Sequence, residues 1–143
     1  NVAGVLAGTR VAIELMSGHG GGGRILNMAS GAGIRGTANM SVYVSSKHAV
    51  VGLTRCAALE VAKDGIAVNA LCPGCIETPM MRAVEAGLGQ GQEAIADSIP
   101  IGRYASTEEI AQTAALSLAL DTDLPVEISL CVVARFPLMD LRV

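Results

Sequence analysis

Tyr43 and Lys47 stand four residues apart, and Ser30 stands thirteen residues before the tyrosine. On a helix that four-residue spacing puts the phenol and the ammonium on one face, one turn apart. A free phenol titrates near ~10 and is a poor base at neutral pH, but a neighbouring ammonium favours the phenolate. The pair is therefore a candidate general acid/base. A substrate oxygen held between a serine hydroxyl and a tyrosine hydroxyl is polarised for hydride attack, with the tyrosine supplying or removing the proton. The hydride has to come from a cofactor, because no side chain carries one. The plainer alternative is an amphipathic helix with a solvated lysine, so the elements around these residues decide.

Those elements alternate. Residues 2–16 carry Val5, Leu6, Val11, Ala12, Leu15 and Met16 at roughly helical spacing, and the run "SGHGGGG" ends them. Residues 24–29, "RILNMA", are short, apolar and bounded by glycines, as a strand buried in a parallel sheet should be, and Ser30 sits at the C-terminal edge. Residues 41–63 form a long helix with Val50, Leu53, Ala57 and Val61 on one side, stopped by Gly65. Residues 66–72, "IAVNALC", make a second buried strand before the breaker pair Pro73-Gly74. Strand, helix, strand in this order is a βαβ unit, and open sheets of this kind bind ligands beyond the C-terminal ends of their strands. Thr78 before Pro79 is a helix start, followed by a short polar-rich segment to Asp97. Ser106 with Glu109 is a capping box opening a helix to about Leu120, and residues 126–134 are a candidate last strand.

Composition narrows the partners. The chain has 143 residues, one domain's worth, with 51% hydrophobic and 16% charged residues, which suits a sheet buried between helices. A net charge of -3 and three aromatic residues argue against nucleic acid, which calls for a basic face and stacking platforms. Apolar runs fall short of the roughly eighteen residues of a membrane span. With no signal-like leader and four scattered cysteines, the expectation is a cytoplasmic protein without a disulfide framework. The chain begins at Asn1, without an initiator methionine and already inside a helical pattern, so a fragment is expected.

The stretches "RILNMAS", "YVSSK" and "IAVNALCPGCIETPM", with the segments joining them, resemble the active-site half of the short-chain dehydrogenase/reductase family. The resemblance runs from Asn1 to about Leu120. It implies a partial doubly wound parallel α/β sheet, Rossmann-like, with the N-terminal cofactor-fingerprint half absent. It implies an NAD- or NADP-dependent oxidoreductase acting on a secondary alcohol or ketone. Ser30 would orient the substrate oxygen, Tyr43 would be the acid/base, and Lys47 would hold the nicotinamide ribose while lowering the tyrosine pKa. Asn1, in "NVAGV", matches the family's helix asparagine that supports a water relay to the lysine. Pro73, Gly74, Ile76 and Thr78 match the loop that approaches the nicotinamide, with the Ile76 backbone and Thr78 side chain at the carboxamide. Family members pack the two helices matching residues 2–16 and 41–63 against a second subunit, which implies a homo-oligomer, dimer or tetramer. Relatives close on V-D-G-G, whereas residues 121–143 form an atypical tail. A non-catalytic remnant or oligomerisation module is the alternative reading.

Other motifs compete less well. Gly31, Gly33 and Gly36 spell G-x-G-x-x-G after a strand, yet no acidic residue marks a second strand at the right distance and the next helix starts too late. Cys72-Pro-Gly-Cys75 has redox-motif spacing but does not open a helix. His19 and His48 lack ligand spacing, so no metal site is expected, and both should be exposed. Glu108 and Glu109 read as first-turn helix charges.

Overall fold

The computed structural model describes residues 1–119 and the backbone of 129–130. Helix α1 covers Val2–His19, three residues beyond the periodic apolar run, because Gly18 and His19 continue it until Gly20 takes the left-handed cap conformation at φ 65. Strand β1 (Gly23–Met28) follows, then a short 3₁₀ turn at Gly31–Gly33, helix α2 (Ser41–Val61) and a second 3₁₀ turn at Ala62–Asp64. Strand β2 spans Ile66–Leu71. The polar-rich segment after Thr78 is two helices, α3 (Pro79–Leu88) and α4 (Gln92–Ala96). Helix α5 spans Thr107–Ala119. Strand β3, Ser129–Leu130, falls inside the candidate last strand; the rest of that strand and of the tail at 121–143 lies outside the described residues.

The sheet order is β1-β2-β3 and both pairings are parallel, with Gly23 opposite Ile66 and Met28 opposite Leu71. Alternation along the strands sorts side chains onto two faces. Ile25, Ile66 and Val68 pack with Ala57 and Val61 of α2 and with Ala12, Ile13 and Met16 of α1. On the opposite face Leu26 and Leu71 pack with Ala105, Ile110 and Ala114, under α5. The chain is thus a three-layer α/β unit, a partial Rossmann-like sheet as its sequence implies. Where α1 turns into β1 the backbones nearly touch: a Cβ on Gly22, at φ 69, would stand 2.6 Å from Gly65 O.

Candidate active site

The β1–β2 ladder runs past the strand ends. Ala29 N donates to Leu71 O at 2.8 Å and Gly31 N donates to Pro73 O at 2.7 Å. Ser30 lies between these rungs, half-buried, with an extended backbone at φ -175. Its Oγ accepts from Ala32 N at 3.1 Å and so caps the 3₁₀ turn. The hydroxyl keeps its own proton to donate.

Tyr43 and Lys47 lie in the first two turns of α2, both half-buried. Lys47 Nζ donates to Met28 O at 3.1 Å and stands 5.8 Å from the Tyr43 ring centroid, within cation–π range. The ammonium has three protons, so this contact leaves donors for other acceptors. Gly33 permits the close approach of the Ser30 turn to α2, since a Cβ there would stand 2.8 Å from Lys47 O. The lysine side chain thus links the serine strand, at Met28 O, to the Tyr43 ring.

Asn1 is the N-cap residue of α1 without a side-chain capping bond, and it lines an open cleft with Asn39, Tyr43 and Ser46. The structure brings Asn1 and Tyr43 to one cleft; Ser30 and Lys47 do not line it. Asn39 and Ser46 are cleft residues that the sequence motifs do not single out. Ser46 is legible as the i+3 neighbour of Tyr43, and its Oγ donates to Tyr43 O at 2.7 Å. Asn39 holds a left-handed backbone, φ 62, a conformation asparagine tolerates.

After β2, Pro73 is buried and Gly74 exposed. Ile76 bridges to Ala105: Ala105 N donates to Cys75 O at 3.0 Å and Glu77 N donates to Ala105 O at 2.9 Å. These bonds use the carbonyl before Ile76 and the amide after it, which turns the amide and carbonyl of Ile76 itself to the other side. There Thr78 Oγ1 donates to Ile76 O at 3.4 Å. Thr78 Oγ1 also accepts from Met81 N at 3.3 Å, capping α3 with Pro79 in its first turn. An amide, a carbonyl and a hydroxyl side by side are the groups a primary carboxamide pairs with.

Gly31 and Gly33 form the 3₁₀ turn and α2 starts only at Ser41, so the G-x-G-x-x-G spacing does not open a helix. Cys72 is buried and Cys75 half-buried, and neither forms a disulfide among the described residues. His19 and His48 are exposed, each bonded to the carbonyl four residues back. Among the described residues no three metal-ligating side chains cluster, and no helix is long and apolar enough to cross a membrane.

The sequence matches the family profile described as enoyl-(acyl carrier protein) reductase over residues 1–124. The chain belongs to the short-chain dehydrogenase/reductase family. It is 39% identical over 131 residues to a diacetyl reductase [(S)-acetoin forming] of Staphylococcus aureus, a match covering 86% of this chain and 51% of that protein. The structure of an acetoin dehydrogenase from Enterobacter cloacae superposes with a TM-score of 0.78 at 33% identity, over 92% of this chain and 50% of that one. An actinorhodin polyketide ketoreductase variant with NADPH superposes with a TM-score of 0.72 at 36% identity, over 81% and 48% of the two chains. The chain spans about half the length of the relatives it matches.

Proposed function

We propose that the chain is the catalytic half of an NAD- or NADP-dependent reductase that interconverts a ketone and a secondary alcohol. The observation that carries this reading is the Lys47 ammonium, set between the Tyr43 ring and the Met28 carbonyl at the strand end that leads to Ser30. The Ser30 hydroxyl, its lone pair engaged by Ala32 N, donates to the substrate oxygen and orients the carbonyl. Tyr43 delivers a proton to that oxygen in reduction and removes it in oxidation. Lys47 keeps positive charge beside the phenol, and Asn1 supports the water path on the cleft side. Pro73, Gly74, Ile76 and Thr78 form the loop that would hold the carboxamide end of a nicotinamide, using the Ile76 backbone and the Thr78 hydroxyl. A bound nicotinamide supplies or accepts the hydride. The relatives named for diacetyl and acetoin make small hydroxyketones and diketones the first substrates to try.

The test is Tyr43→Phe in the protein carrying this chain, with diacetyl as substrate and nicotinamide absorbance as the readout. Turnover is expected to fall at least the ~10²-fold typical of a lost general acid/base, with the thermal midpoint retained. Near-normal turnover refutes the assignment. Lys47 and the Pro73 loop supply only the nicotinamide end of a dinucleotide site, so the isolated chain should bind the dinucleotide weakly by calorimetry.

A homo-oligomer fits the exposed apolar residues of the two long helices, Leu6, Val11 and Leu15 on α1 and Val42 and Leu59 on α2. These residues also favour the alternative, an oligomerisation module without turnover. Light scattering coupled to size exclusion tests association, and the Tyr43→Phe comparison separates the two readings.

A further inference from the structure

Apart from Tyr104, the buried polar side chains of the described residues are Thr9, Asn27 and Thr54, at 4%, 8% and 2% exposure. They form one chain of hydrogen bonds. Thr9 Oγ1 donates to Asn27 Oδ1 at 3.2 Å, Asn27 Nδ2 donates to Thr54 Oγ1 at 3.0 Å, and Thr54 Oγ1 donates to Val50 O at 2.8 Å. The direction is forced. The Thr54 proton is committed to a helix carbonyl, so Thr54 can only accept from the amide. Asn27 must then present its nitrogen to α2 and its oxygen to α1.

Each link belongs to a different element, and each element contributes to the proposed reaction centre. Thr9 is on α1, which begins next to Asn1. Asn27 is on β1, one residue before the carbonyl that receives Lys47 and three before Ser30. Thr54 is on α2, two turns beyond Lys47 and on its face. Net stability is a poor reason for such a chain, since replacing a buried, satisfied polar group by an apolar one of similar shape is often neutral. Register is a better reason. The helix-facing residues around the network, Ile25, Val68, Ala57 and Val61, are aliphatic and set which face is buried, and the hydrogen bonds add the directional constraint that such contacts lack. A one-residue slip of β1 would carry Asn27 to the α5 face and move the Met28 carbonyl away from Lys47.

We propose that Thr9, Asn27 and Thr54 are positioning residues: their hydrogen-bond chain fixes β1 against α1 and α2 and so holds the Lys47 ammonium at the Met28 carbonyl and Ser30 at the strand end. The functional meaning rests on the reductase reading. The geometric claim does not, and it has its own assay. With ¹⁵N-lysine labelling of the protein carrying this chain, the ammonium signals of Lys47 and Lys63 are assigned by their loss in Lys47→Arg and Lys63→Arg. Lys63 is exposed and serves as the internal reference.

In the unmodified protein, at mildly acidic pH and low temperature, the Lys47 ammonium protons should exchange more slowly than those of Lys63. In the triple variant Thr9→Val, Asn27→Leu, Thr54→Val the thermal midpoint should hold while the Lys47 signal becomes as labile as that of Lys63. If that variant does not fold, the single Thr9→Val, which leaves the Asn27 oxygen unpaired, should weaken Lys47 protection and Thr9→Ser should restore it. A folded variant whose Lys47 stays protected overturns the proposal, as does a Lys47 signal that is labile from the start. Where turnover is measurable, the triple variant should lose roughly 10–100-fold in kcat with little change in KM. Absence of turnover in the unmodified protein would count against the reductase reading alone.

Discussion

The glycine that lets the Ser30 turn lie on α2 gives a sharp test of how the site is assembled. In Gly33→Ala the added Cβ would stand 2.8 Å from Lys47 O, 3.0 Å from Val51 Cγ2 and 3.2 Å from Lys47 C. Two of those atoms are helix backbone and the third belongs to Val51, which is 3% exposed. None is the free end of a flexible side chain. The turn cannot lift away cheaply, because Gly31 N is bonded across to Pro73 O at 2.7 Å. Overpacking of this kind costs about 1–3 kcal/mol. Stiffening the unfolded chain returns about 0.4–1 kcal/mol. The net is a loss of roughly 1–2 kcal/mol, or about 3–7 °C in the thermal midpoint for a domain of this size.

Gly36→Ala is the matched control, since a Cβ there meets nothing within 4 Å. It should be neutral or slightly stabilising. Thermal or urea unfolding of the two variants side by side is the assay. Equal stability of Gly33→Ala and Gly36→Ala would refute the close approach of turn and helix. It would also leave the position of Ser30 without its steric basis.

Two further expectations concern the ends of the pH range. Glu109 is held down at about 2, first by hydrogen bonds from Arg103 at 2.7 and 2.8 Å and then by the Ser106 amide. Its contribution is present above its unfolded value of 4.5 and lost as pH falls through about 2, so thermal midpoints of wild type and Glu109→Gln should converge on acidification. Tyr104 is pushed up to about 12, first by burial and then by the nearby Glu85 carboxyl, while its hydroxyl and Glu85 Oε1 are both buried without hydrogen-bond partners. Its protonated form supports the fold below the unfolded value of 10.0, and that support is lost as pH rises toward 12. Tyr104→Phe should therefore flatten the alkaline limb of a stability-versus-pH curve and leave neutral-pH stability equal or higher; an unchanged limb would contradict this burial.

The βαβ frame is legible in the sequence because each of its parts is both periodic and bounded. Residues 24–29 and 66–72 lie between glycines or a Pro-Gly pair, and the observed strands, Gly23–Met28 and Ile66–Leu71, differ from them by one residue, at both ends of the first and at the C-terminal end of the second. The capping box at Ser106 is legible for the same reason, its two residues being three apart: Glu109 N donates to Ser106 Oγ at 3.1 Å and Ser106 N donates to Glu109 Oε2 at 2.8 Å. The bidentate hold of Arg103 on Glu109 is not, because a pair six residues apart has no local periodicity to announce it. Helices α3 and α4 look like one polar segment because both are short and lie among glycines, and α3, although amphipathic, buries no residue. Asn27 shows where pattern reading fails. In "RILNMA" it looks like a blemish in an apolar strand, and its partners lie eighteen residues before it and twenty-seven after it. Only the packed fold can pair them.

Long-range pairing of that kind also lets three separate loops act as one site. Ser30, the Pro73 loop and the start of α2 belong to different connections, and loops joined only by side chains drift independently. In this fold the joints between Ser30 and the Pro73 loop are backbone. The parallel ladder carries on through Ala29 to Leu71 and Gly31 to Pro73, so the residue flanked by those rungs, Ser30, is splinted to the Pro73 loop on both sides. The far end of that loop is fixed in turn, by the two bonds between Ala105 and the residues flanking Ile76. Lys47 then ties the helix to the strand, its ammonium donating to Met28 O. The strand-to-loop geometry, held by main-chain atoms, survives exchange of the reacting side chains of Ser30 and Tyr43, while the Lys47 link depends on the buried Thr9, Asn27 and Thr54 chain. Chemistry can therefore change at Ser30 or Tyr43, as in Tyr43→Phe, without moving the frame that aims them, and a loss of turnover in such a variant reports on the removed hydroxyl rather than on a displaced site.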